Sequence, residues 1–295
     1  MKVISFGEIL WDIIEGAYHI GGAPFNFAAH LTQCGADVAM ISRLGKDEIG
    51  KRAFQAVCDL SVGTKYLQWD TKHPTGTVNV FLQNGQPTYT IHPEVAYDYI
   101  DFENLKLAGL LEDEIDIFSF GTLAQRHEKS RNTLNQILEN QSFRHIFYDV
   151  NLRKDCYNAD IIKHSIPHST ILKLNDDEVS LISNMLFQGE MDEESFARQI
   201  AEAYRLEVVI ITAGAKGCYI HHDGNYQKIP GRAVKVLDTV GAGDSFSAAF
   251  MYQYLHHGDP FKAATIANHV GGFVAASRGA IPQYTKEIRE LLANR

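Results

Sequence analysis

Short apolar runs recur along the chain at Val3–Phe6, Val38–Ser42, Ile115–Phe120, Ile146–Val150, Ile171–Leu174 and Val208–Thr212. Each is strand-length and apolar on both faces, the pattern of a parallel strand covered by helices above and below. Between the runs the period lengthens to that of a helix. Phe196, Ile200 and Ala203 recur at helical spacing after Asp192, a residue suited to an N-cap. The alternation predicts a doubly wound α/β domain.

One region departs from this pattern. Thr77-Val78-Asn79-Val80-Phe81-Leu82 alternates with period two, Asn84-Gly85 suits a type I′ turn, and Thr88–His92 runs back. A hairpin outside the main sheet serves either as a surface or dimer contact or as a lid over a ligand, and the two roles are compatible. A second hairpin is predicted for Cys218–His222 and Asn225–Ile229, around Asp223-Gly224. There are no repeats, low-complexity tracts or long polar linkers, so residues 1–295 read as one domain.

With 295 residues, 45% of them hydrophobic, the chain can bury a large core. Its 27 Lys and Arg against 36 Asp and Glu give a formal charge of −9 with no basic run, which argues against nucleic-acid or anionic-membrane partners. Cys34, Cys58, Cys156 and Cys218 are widely spaced and read as reduced thiols, so a cytoplasmic location is expected. Met1–Gly7 is a strand pattern, and no signal peptide is expected. Among 13 histidines, the neighbours His221-His222 and His256-His257 point apart, and Pro167 interrupts the face that His164 and His168 would share. No carboxylate is spaced to complete a zinc set.

Two glycine-rich helix starts carry the candidate chemistry. In Asp238-Thr239-Val240-Gly241-Ala242-Gly243-Asp244-Ser245-Phe246, helical spacing continues through Phe250 and Tyr254 to Gly258 and Pro260. Glycines at a helix N-terminus let amides approach an anion, and the helix dipole adds positive charge. A carboxylate in the first turn, Asp244, can then take a hydroxyl proton beside a phosphoryl group held by those amides. A plain capped helix start has the same spacing. Upstream, Gly21-Gly22-Ala23-Pro24-Phe25-Asn26-Phe27-Ala28-Ala29 opens another helix, with Asn26 able to donate to and accept from hydroxyls. Gly7-Glu8-Ile9-Leu10-Trp11-Asp12 follows the first strand, where open α/β sheets bind ligands. Gly45–Arg52 imitates a P-loop, but Arg52 stands where Ser or Thr would be needed; it reads as a turn and helix start.

The two glycine stretches, in this order, resemble the paired signatures of the ribokinase/PfkB family of carbohydrate kinases, and the resemblance spans essentially the whole chain. It implies a ribokinase-like three-layer α/β/α sandwich with a small β-sheet lid formed by segments near 10–20 and 75–100. It implies ATP as donor and Mg2+, with Asp244 the base and Gly241, Ala242 and Gly243 the anion hole. Asp12, Gly22 and Asn26 would hold the sugar. Tyr148-Asp149-Val150-Asn151-Leu152-Arg153 resembles the D-x-N-x-R segment of fructokinases and related ketosugar-acid kinases, placing Arg153 at the substrate. Asn175-Asp176-Asp177-Glu178 resembles the family's N-x-x-E motif, with Asn175 near the nucleotide phosphates and Glu178 orienting Mg2+ through water. Thr212, Gly214 and Gly217 resemble the nucleotide loop, and Asn268 sits where the family contacts the base. Asp238, Val240, Ala275, Arg278 and Gly279 match the loops that hold a monovalent cation, K+ being the candidate, usually through backbone carbonyls, although Ala275–Gly279 is one residue shorter than the ribokinase version. The first loop and hairpin look most like fructokinases, so the expected reaction is phosphorylation of a ketohexose primary hydroxyl, fructose to fructose 6-phosphate. The alternatives are a 2-keto-3-deoxygluconate kinase, a ribokinase-like activity, or a non-catalytic sensor on the same fold. A homodimer is the expected assembly.

Overall fold

The apolar runs demand a sheet buried on both faces, and the computed structural model, which describes residues 1–83, 86–153 and 155–293, contains one. The first half of the chain forms β1 (Lys2–Phe6), β2 (Leu10–Ile14), β3 (Ala17–Gly21), α1 (Ala23–Gln33), β4 (Asp37–Gly45), α2 (Glu48–Asp59), β5 (Leu67–Asp70), β6 (Gly76–Gln83), β7 (Gln86–Ile91), α3 (Phe102–Leu107), β8 (Ile117–Gly121) and α4 (Glu128–Asn140). The second half forms β9 (His145–Asp149), α5 (Ala159–Ser165), β10 (Ile171–Asn175), α6 (Asp176–Phe187), α7 (Glu193–Tyr204), β11 (Val208–Thr212), β12 (Gly217–His222), β13 (Asn225–Pro230), α8 (Ala242–His257), α9 (Pro260–Ala275) and α10 (Lys286–Ala293).

Among the described residues the main sheet has the order β13-β12-β11-β10-β9-β8-β1-β4-β5. Strands from β5 to β11 run parallel, and β12 and β13 add an antiparallel edge. Alternate strand residues feed two cores. Val3, Val38, Met40, Val208 and Ile210 face the layer of α1, α2, α8, α9 and α10. Ile4, Ile41, Val209 and Ile211 face the layer of α3 to α7. Each fully buried side chain of this size contributes about 1.5–3 kcal/mol. The strand order reverses at β1, which has β4 on one side and β8 on the other, so the carboxyl ends of β1 and β8 border the crevice where such sheets take ligands.

A second sheet, β3-β2-β6-β7, leaves the main body right after β1 and again after β5. The hairpin predicted for residues 77–92 is β6 with β7; its Asn84-Gly85 turn lies outside the described residues. In the hairpin of β12 and β13, Asp223 and Gly224 have φ of 48° and 72°, as a type I′ turn requires. The P-loop imitation is a helix start: Asp47 caps α2 by accepting from the Gly50 amide at 2.7 Å and ties it to the Thr75 amide at 2.8 Å. One detail of the pattern changes. Ala203 is exposed, and the buried stripe of α7 is Phe196, Ala197, Ile200 and Ala201. No described helix is long and apolar enough to cross a membrane, and no trio of metal-binding side chains gathers among the described residues.

Candidate active site

The two glycine stretches, more than 200 residues apart in sequence, meet at one point. Gly22 is the N-cap of α1 with φ 110°, and a Cβ there would lie 2.4 Å from the Glu8 carbonyl oxygen, so only glycine lets α1 start against the end of β1. Gly241 caps α8 with φ 78°. The side chain of Asn26, buried in α1, donates to Asp244 Oδ2 at 2.8 Å. The amides of Gly243 and Asp244 have no hydrogen-bond partner among the described residues and form the open end of the helix beside that carboxylate.

Burial pushes Asp244 up to about 6; the Asn26 hydrogen bond opposes this, Asp149 adds to it, and Lys173 and Arg153 pull the other way. Beneath lies an ion pair that the pattern of apolar positions concealed. Lys173, inside the apolar run of β10, places Nζ 3.0 and 2.8 Å from the two carboxylate oxygens of Asp149 at the end of β9. Lys173 is buried, and Nζ lies 3.6 Å from where a Cβ on Gly243 would stand. A lysine within an otherwise apolar buried strand was the available signal. Asp12, on β2 of the small sheet, is also raised by burial, against the charges of Arg153 and His19. The exposed Arg153 acts electrostatically on Glu8, Asp12 and Asp244 together. Arg126 is a second unforeseen residue: it grips Asp98 at 2.8 Å and the His92 carbonyl at 2.7 Å, fastening the end of the small sheet to the segment after β8.

The nucleotide candidates lie along the neighbouring strand ends. Asn175 and Glu178 form a reciprocal capping box, each bond 2.9 Å, and Glu178 also accepts from the Leu152 amide at 2.6 Å. Thr212 ends β11, and Gly214 and Gly217 follow with φ of 53° and 99°. Lys216 pairs with Asp176 at 3.5 Å, joining that loop to the start of α6. Asn268 donates to the carbonyls of Ile229 and Pro230 at 3.3 and 3.2 Å, holding the end of β13. The loops of the cation candidates meet as well. Asp238 accepts from the amides of Val240 at 3.0 Å and Gly279 at 3.3 Å, while the Ala275 carbonyl accepts from Leu237 and Asp238 at 2.8 and 3.2 Å. Those two amides occupy both lone pairs of the Ala275 carbonyl. Arg278 sits in the same short loop, exposed.

The glycines of α8 differ in what they need. A Cβ on Gly241 would lie 2.3 Å from the Ala280 carbonyl oxygen in a left-handed backbone, whereas one on Gly243 meets ordinary contact. Gly241→Ala is expected to cost about 2 kcal/mol or more of stability. Gly243→Ala should unfold like wild type while losing activity, because its Cβ meets only Lys173 Nζ, at ordinary contact distance, beside the open amides of α8. Thermal melts with parallel rate assays check the contrast, and equal melting losses in both variants would contradict it.

The comparisons agree with this geometry. A model of the pfkB family carbohydrate kinases matches residues 4–287. An uncharacterized sugar kinase of Pyrococcus horikoshii is 29% identical over 99% of this chain and 97% of its own length. Its structure in complex with ATP superposes with a TM-score of 0.82 at 26% identity, covering 98% of this chain and 99% of that one. A fructokinase of Klebsiella pneumoniae is 25% identical over 95% of each chain. The fold alone is shared with a fructokinase of Xylella fastidiosa, at a TM-score of 0.88 and 20% identity over 99% and 98% of the two chains. A family match running from β1 into the last helix, over a fold built from the same two layers and small sheet, means that this chain belongs to the pfkB family of carbohydrate kinases.

Proposed function

We propose that the protein transfers the γ-phosphate of ATP to the primary hydroxyl of a ketohexose, fructose giving fructose 6-phosphate. The observation that carries this reading is Asp244: a carboxylate at the open N-terminus of α8, held by Asn26, with burial moving it towards neutral pH. The ATP complex of the Pyrococcus relative supports the donor, and the Klebsiella fructokinase supports the sugar.

The sugar lies between Asp12 and Gly22 of the first loop and Asn26 of α1, under the small sheet acting as a lid, with Arg153 at the rim. Asp244 accepts the hydroxyl proton as that oxygen attacks the γ-phosphorus, and the bond from phosphorus to the β,γ-bridging oxygen breaks to release ADP. The open amides of Gly243 and Asp244 face the charge on the transferring group, whereas the Ala242 amide, expected in the same anion hole, is spent on the Thr239 carbonyl at 3.2 Å. Asn175, Thr212, Gly214, Gly217 and Asn268 line the nucleotide side. The residues fit a Mg2+ held mainly by nucleotide phosphates, since Glu178 is a lone buried carboxylate whose oxygens are already held by amides and which would act through water. Bound there, the ion would supply charge neutralisation between the phosphates. A monovalent cation would have to rely on Asp238, Val240, Arg278 and Gly279 rather than on the engaged Ala275 carbonyl.

ADP release with fructose, ribose, 2-keto-3-deoxygluconate and nucleosides tests the reading, with the highest kcat/KM expected for fructose. No sugar-dependent ADP release would leave only a sensor. The acid limb of the same assay is a second test. Only ionised Asp244 accepts a proton, so kcat/KM should fall tenfold per unit below about pH 6 and level off above about 7. An acid limb centred near the ordinary aspartate value would remove Asp244 as the titrating base.

A further inference from the structure

Glu8, immediately after β1, is used by none of the steps above, and its surroundings do not account for it. It is 3% exposed, and its Oε2 has no hydrogen-bond partner. A buried carboxyl oxygen without a partner is costly, and such atoms call for something to bond. Glu8 lines a narrow pocket at the carboxyl ends of β1, β8 and β9, with Ser119, Thr122, Asp149 and Asn151 on the other walls. The backbone of Glu8 is locked by the close approach of Gly22. A second buried acceptor, Asn26 Oδ1, is also without a partner, on the residue whose Nδ2 holds Asp244. Burial pushes the Glu8 carboxyl up to about 7; its own amide and Arg153 oppose the rise, and Asp244 adds to it.

The charges around this space are unbalanced. Lys173 is taken by Asp149, leaving Glu8, Asp12 and Asp244 against Arg153, which is exposed. Unsatisfied acceptors beside an excess of carboxyl groups suit a ligand that brings hydroxyl donors and no negative charge of its own.

We propose that Glu8 is a specificity-determining substrate contact: its free oxygen hydrogen-bonds a sugar hydroxyl other than the one phosphorylated, and its charge, with those of Asp12 and Asp244, excludes sugars that carry a carboxylate. This rests on the sugar-kinase reading and narrows its substrate to an uncharged polyol.

Glu8→Gln, compared with wild type at pH 8, keeps the volume and one acceptor while removing the charge that Glu8 carries above about pH 7. It should lower kcat/KM for fructose about 10- to 100-fold and raise the ratio of 2-keto-3-deoxygluconate to fructose at least about tenfold. Glu8→Asp, which retains charge but draws the oxygen back, should raise KM for fructose without improving the acid. If either variant does not fold, the other still reads the contact. A purely structural Glu8 predicts a changed melting temperature with both ratios at the wild-type value, and that result overturns the inference. So does a wild type that prefers the sugar acid, which leaves the kinase reading standing. Sugar-induced shifts in melting temperature without ATP separate the two ideas. Fructose binding without ADP release overturns the kinase reading alone, provided Glu8→Gln weakens the shift. No shift with any sugar, together with no sugar-dependent ADP release, overturns both.

Discussion

Asp244→Asn should reduce kcat by about 10²- to 10⁴-fold while leaving KM for the sugar nearly unchanged. The amide has nearly the shape of the carboxylate, and its oxygen still accepts from Asn26 Nδ2, so the bond joining α1 to α8 survives. What it cannot do is take the hydroxyl proton. The open amides at the head of α8 remain, so the residual rate should stay above the uncatalysed one. Near-normal turnover would remove Asp244 as the base.

The same substitution carries a stability test with a definite sign. In the fold Asp244 titrates near 6, above its ordinary value of 3.8, so its protonated form is the favoured one. That contribution is present below about pH 4 and is lost as pH rises through about 6. Asparagine is uncharged at every pH. The variant should therefore melt at or above the wild-type temperature at pH 8, and the difference should shrink towards pH 4. A clear loss of stability at pH 8 would mean that Asp244 holds the fold together rather than bearing strain for a reaction.

What could be read from residues alone followed from how local each signal was. Helix starts depend on a few consecutive residues, so Gly21–Ala29 and Gly241–Ser245 were legible, as was the hairpin at Asp223-Gly224, where two left-handed residues are needed in a row. The parallel strands were legible because burial on both faces leaves an apolar run. The bond from Asn26 to Asp244 spans 218 residues and depends on α1 packing beside α8, so no local pattern announces it. Glu8 looked like one letter of a loop because its burial is created by the return of the chain at Gly22. Lys173 was absorbed into the run Ile171–Leu174, since one lysine does not break an apolar average, and its partner Asp149 comes from the adjacent strand.

Lys173 therefore gives the second large expectation. Lys173→Met keeps the length of the side chain but leaves Asp149 without its cation, at a cost of about 3–5 kcal/mol. Burial by itself would pull the lysine down, but Asp149's charge and hydrogen bonds outweigh it and hold the ammonium above its ordinary value. Its contribution is thus present across the neutral range and lost only as pH rises past the usual lysine value. The catalytic consequence is separate. Lys173 lowers Asp244 and Asp149 raises it, so loss of the lysine alone should move the acid limb of kcat/KM above pH 6. Adding Asp149→Asn removes the orphaned charge, so Lys173→Met with Asp149→Asn should recover much of the stability and return the limb towards wild type. Such recovery marks coupling between the two residues, as a double-mutant cycle would measure it. A lysine that merely filled space would give a Met variant with wild-type melting and an unmoved limb. A limb that stays shifted in the double variant would mean that Lys173 acts on Asp244 independently of Asp149. The expected pairing of effects makes Lys173 a positioning residue: it keeps the floor beneath the α8 N-terminus neutral, so that burial rather than a stray carboxylate sets the basicity of Asp244.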